Sequence, residues 1–205
     1  MSGCCDGGCS ANALQEEQQR GTLKAVLAIN AIMFVVIVGA ALYSGSTALL
    51  ANSFDNFGDA LTYALSLYAV SRGTSTKAKV ALFKGVLILL AALIVSGQIV
   101  YRLIEPGVPL FEAMGIFGII SLVANSLCLY LLWRHRHEDV NMSSVWECSR
   151  NDIASDLSVI VAAGAVWLLG SGWPDIVVAL ALVILLYRSA FRVISSAKNE
   201  LNKST

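Results

Sequence analysis

The chain has 205 residues, of which 57% are hydrophobic and only 14% charged, with a mean hydropathy of +0.70. Soluble domains carry about 25% charged residues, so an ordinary water-soluble fold is excluded and the bilayer takes the place of solvent. Lys and Arg number 14, as do Asp and Glu, and this balance offers no basic face for nucleic acid and no acidic one for a cationic partner.

The opening stretch, MSGCCDGGCSANALQEEQQR, lacks the basic-then-apolar order of a secretory signal. It reads as a Cys-rich tail over residues 1–22, with Cys4, Cys5 and Cys9 close together. Cys128 and Cys148 fall in apolar segments instead, so a disulfide framework is not expected. A helix crossing the hydrocarbon core needs about 20 largely apolar residues. Six runs qualify, near residues 23–43, 47–71, 80–101, 111–133, 144–169 and 175–194. They are separated by turn chemistry: Ser-Gly-Ser at 44–46, SRGTSTKAK at 71–79, EPGVP at 105–109, RHRHEDVN at 134–141 and GSGWP at 170–174. The expectation is an all-α, polytopic membrane protein: six transmembrane helices in one domain over 23–194, then a short tail over 195–205 with no room for a folded soluble domain.

Six spans put both termini on one side. Of the 14 Lys and Arg residues only Arg102 falls near the other side, which by the positive-inside rule assigns the termini to the cytoplasm and the chain to the inner (plasma) membrane.

The second and fifth spans carry the chemistry. SFDNFGDA places Asp55 and Asp59 four residues apart, and SRNDIASDL does the same for Asp152 and Asp156. Residues at that spacing stack on one helix face, roughly 5 to 6 Å apart at Cβ, so each pair is an oxygen clamp. At about 1.5 Å per residue, Asp59 lies roughly 18 Å from either end of its span and Asp156 roughly 18 Å from the start of its own. Antiparallel packing can therefore bring both pairs together near the midplane. An ionised carboxylate there costs at least about 2.5 to 3.5 kcal/mol, and four repel one another. Two compensations exist: a bound dication, or protonation, which desolvation and like charge both favour. A site alternating between them exchanges metal for protons. The blander alternative pairs the acids with basic side chains in a buried network, Arg150 beside Asp152 being the obvious partner.

Other polar residues are read with both roles open. Asn52 and Cys148 stand one turn from an aspartate and could line the site; a buried Cys is equally a small hydrophobe. Asn30 and Asn125 either orient carboxylates or hydrogen-bond neighbouring helices. His135 and His137 read as solvated loop residues. Cys4, Cys5 and Cys9 would capture metal in the cytosol, or form an inert tail. No Gly-rich phosphate loop, HExxH or Ser-His-Asp set appears, so no enzyme chemistry is expected and an ion gradient must supply the energy.

GSTALLANSFDNFGDAL, SRNDIASDLSVIVAA and WPDIVVALALVILLYRSAFRVI together resemble the second, fifth and sixth helices of the cation diffusion facilitator family. The resemblance implies a six-helix transmembrane domain, a tetrahedral metal site between helices two and five, metal export coupled to proton entry, and homodimers. Asp152 stands where zinc-transporting members usually have His, and Asn52 where many have Asp. The family's C-terminal cytoplasmic domain has no counterpart in the sequence. Carboxylates suit manganese or magnesium, whereas thiolates suit softer ions, so the acids and the Cys tail pull apart. The reading is efflux of a divalent transition metal from the cytoplasm by proton antiport, with zinc as the leading cargo and manganese, iron, cobalt or cadmium as alternatives. No resident cofactor is expected; lipid, metal and protons are the partners. A proton-coupled exporter of organic cations and a membrane metal sensor are the rival readings.

Overall fold

The computed structural model describes residues 6–69, 74–134 and 140–203 and consists, over them, of six α-helices without strands. They are α1 (Asp6–Ser44), α2 (Thr47–Ala69), α3 (Thr74–Ile104), α4 (Phe111–Trp133), α5 (Val140–Leu169) and α6 (Trp173–Lys203). All six expected spans are found as helices. α1 begins at Asp6, so most of the segment read as a tail continues the first span as helix.

The helices form three closely packed pairs, α1 with α2, α4 with α5 and α3 with α6; α1 also packs on α4, and α2 on α3, α5 and α6. α2 is thus surrounded. Its composition follows from that position. Every other helix turns large apolar side chains outward, such as Val35, Leu90, Ile119, Val161 and Leu180, whereas none of the described residues of α2 does so. Among the described residues, five helices are long and apolar enough to cross a membrane; α2, with two Asp, two Asn and a Ser within its first 13 residues, is not one of them. At about 1.5 Å per residue its 23 residues still reach roughly 34 Å, and enclosure by its neighbours replaces the apolar surface that a lipid-facing helix needs.

The three short connections gather at the end of the bundle away from the termini. Gly45 turns α1 into α2 at a φ of 69°, in the left-handed region. Leu110 N donates to Ser44 O at 2.9 Å, and Arg102 Nη2 donates to Gly45 O at 2.7 Å. Asp175 of α6 is buried at the start of α2, accepting from Ser46 Oγ at 2.6 Å, Thr47 N at 2.7 Å and Ala48 N at 3.1 Å. The first turn of a helix leaves backbone N–H groups without intrahelical partners and carries a partial positive charge. A carboxylate supplied by another helix satisfies both and fixes α2 vertically against α6.

The core runs along the bundle axis, with Ile37, Leu49, Val95, Met114, Val159 and Leu182 fully or nearly fully buried. A second apolar cluster around Leu23, Val26, Tyr63, Cys128 and Leu132 closes the bundle toward the termini.

Candidate functional site

α2 and α5 run antiparallel, and their polar residues pair along the seam in a consistent register. Asn52 meets Asp156, Asp55 meets Ser155, Asp59 meets Asp152 and Tyr63 meets Ser149. Successive α2 members stand about one helical turn apart, so all four aspartates line one seam, as a ladder and not on a single level.

Asp156 is fully buried. It accepts from Asn52 Nδ2 at 3.0 Å and from Asn125 Nδ2 of α4 at 2.8 Å, and Ser121 adds a further contact. Asn52 Nδ2 also reaches Ser121 Oγ at 3.2 Å. Three neutral donors thus orient a carboxylate while leaving its charge uncancelled. Asp55, half-buried, bonds to Ser155 and lies within electrostatic reach of both Asp59 and Asp156. Asp59 and Asp152 face each other across the seam. Tyr63, fully buried, donates to Asp59 Oδ2 at 3.1 Å and meets Ser149 Oγ at 3.2 Å. Among the described residues, no three His, Cys, Asp or Glu side chains converge closely enough to hold a metal ion as they stand.

Arg150 is exposed, with its guanidinium 5.5 Å over the Trp146 ring. Asn125 orients a carboxylate directly, whereas Asn30 donates to Val26 O at 3.0 Å and Cys128 Sγ at 3.6 Å. Cys9 and Cys148 lie on α1 and α5, but their side chains are not among those described; Cys4, Cys5, His135 and His137 lie outside the described residues. The sequence reading missed Tyr63, Ser121 and Ser149. Only Tyr63, four residues beyond Asp59 on the same face, left a signal that could have been followed.

Apart from Tyr63, whose hydroxyl meets Asp59, the rings beside the acids turn away from the seam. Phe54 and Phe57 turn toward α1, where Phe34 sits 6.0 Å and 5.0 Å from them at the ring centroids. Phe54 and Phe57 contact each other edge-on at 6.5 Å.

No curated protein matches the chain. The cation efflux transmembrane domain family matches residues 23–201, from the first turns of the membrane part of α1 almost to the end of α6. That span contains α2 to α5, most of α1 and α6, the four aspartates and every polar rung of the seam. By this match the chain, a multi-pass membrane protein, belongs to the cation efflux family, the transporters that its second- and fifth-helix motifs resemble.

Proposed function

We propose that the chain expels a divalent transition metal ion from the cytoplasm in exchange for protons, with Asp55, Asp59, Asp152 and Asp156 as the shared binding groups. The observation that carries this reading is the α2–α5 seam itself: four carboxylates on facing helix surfaces in the bundle interior, with Asp59 set against Asp152. Oxygen donors of this kind bind divalent ions. Burial makes each uncompensated charge costly, so metal and protons replace one another. Both termini face the cytoplasm, because the basic residues gather at their end. The chain acts as a homodimer in the inner membrane, and zinc is the leading cargo, manganese the next.

An organic-cation exporter would set its acids among aromatic rings. Here the Phe54–Phe57 cluster faces α1, and Tyr63 meets Asp59 through its hydroxyl, which favours a small ion.

Purified protein in proteoliposomes with an imposed pH gradient tests the reading, with zinc, manganese, iron(II), cobalt and cadmium offered in turn. Uptake of at least one metal that collapses when a protonophore dissipates the gradient is expected. Metal-independent behaviour from folded protein, or uptake indifferent to the gradient, would sink the exchange mechanism.

Tyr63→Phe is a finer probe. It removes the hydroxyl that donates to Asp59 and meets Ser149, an orienting contact whose loss weakens a metal site about 10- to 100-fold. The apparent KM for the transported metal should rise within that range. An unchanged KM would show that Tyr63 serves packing alone.

A further inference from the structure

A basic side chain stands beside the acidic seam. Lys84 belongs to α3, and its Nζ donates to Thr62 Oγ1 on α2; Thr62 Oγ1 in turn donates to Gly58 O at 2.8 Å. Thr62 is three residues from Asp59, and the Lys84 ammonium acts electrostatically on the Asp59 carboxyl. By its place in the sequence Lys84 counted only among the charges of the terminal end; the fold brings it to the rung where Asp59 meets Asp152.

The neighbouring backbone explains how it is held there. Gly85 lies against α6 so closely that a Cβ at this position would sit 2.6 Å from Ile194 Cγ1 and 3.2 Å from its backbone N. α3 is therefore pressed onto α6 at this point. Phe83 and Val86, on either side, face outward. Lys84 is left half-buried and directed at α2.

A fixed positive charge near Asp59 opposes any dication that enters the seam, because in a poorly polarisable interior the repulsion extends over several ångströms. The same charge lessens the mutual repulsion of the aspartates while no metal is bound. We propose that Lys84 is a specificity-determining residue of the transport site: a tethered counter-ion to Asp59 that weakens divalent binding and speeds divalent release. A transporter needs both, since a cargo held too tightly is not delivered. The inference rests on the reading of the seam as a metal transport site.

Lys84→Met keeps the length of the side chain and removes its charge; Lys84→Arg keeps the charge. The full chain in detergent is titrated calorimetrically with zinc and then with manganese, and the same variants are assayed in proteoliposomes for KM and maximal rate. Lys84→Met is expected to bind the metal about tenfold more tightly and to turn over more slowly, with Lys84→Arg within about twofold of the parent. Lys84→Gln, checked for its fold by circular dichroism and gel filtration, stands in if the Met variant does not fold. Neutral variants that bind no more tightly than the parent overturn the proposal. So does an Arg variant that behaves like the neutral ones, because the effect then belongs to the hydrogen bond with Thr62 and not to the charge. Failure of the transport reading has a different signature: the parent and Asp156→Asn bind metal alike, or neither binds.

Discussion

Asp156→Asn should abolish gradient-driven metal uptake in proteoliposomes, by at least about 100-fold, in protein that still folds. Asp156 is fully buried and its two carboxylate oxygens are held by Asn52, at 3.0 Å, and Asn125, at 2.8 Å. Those amides orient the group and do not neutralise it, so its negative charge is available to an ion. Asparagine preserves the shape and one acceptor while removing the charge. Its new amide N–H₂ faces one of the two existing donors, which costs about 1 to 3 kcal/mol, and a modest drop in melting temperature should accompany the loss of uptake. Alanine is the poorer probe because it leaves both buried amides without their acceptor. Retained uptake in Asp156→Asn would remove Asp156 from the ion path and reduce it to a buried anchor for α4.

The largest effect on stability is expected at Asp175, which caps α2 and is not itself a rung of the seam. Its carboxylate closes the first turn of α2 through Ser46 Oγ, Thr47 N and Ala48 N, and the Arg102 guanidinium adds an electrostatic contact. Hydrogen bonds to a charged acceptor contribute about 1.5 to 3 kcal/mol each, and donors orphaned in a buried site cost a comparable amount. Asp175→Ala should therefore destabilise the protein by about 3 kcal/mol or more, read as a fall in melting temperature in detergent or in folded yield. Asp175→Asn should recover part of that loss, since it keeps one acceptor for the backbone N–H groups. Uptake per folded molecule should change far less than in Asp156→Asn. A shift in melting temperature below about 2 °C for the Ala variant would mean that water or a neighbouring group caps α2 equally well.

These two residues differ in how far they could be read from the chain. Asp152 and Asp156 stood out because two acids on one face of an apolar run are expensive, and a matching pair on a second run makes coincidence a poor account. Asp175 carries the same charge but sits at the start of its span, where an acid is ordinary. Its role depends on the end of α2 arriving beside it, a contact separated by 128 residues in the case of Thr47. Lys84 was counted only with the charges toward the terminal end, for a related reason. Which face of α3 carries it cannot be read from the sequence, and it took the packing of Gly85 on Ile194 to set the rotation of α3.

The helix ends show the limit of hydropathy. Runs near 80–101 and 175–194 became Thr74–Ile104 and Trp173–Lys203, because apolar character marks where a helix meets lipid, whereas backbone hydrogen bonding continues beyond it wherever no Gly or Pro interrupts. α1 extends to Asp6 even across Gly7, Gly8 and Gly21.

By itself the sequence determined the solvent, the number of helices, that the termini lie together at one end of the bundle, and the two helices that carry the acids. All of these follow from local quantities: apolar length, turn residues and the four-residue spacing. Only the tertiary structure decided that α2 is the enclosed helix, that the aspartates form a ladder of rungs, and that Asn125, Tyr63 and Lys84 bear on them. Those depend on the rotation and vertical register of each helix, which side-chain packing and the Asp175 cap set jointly and which no single segment encodes.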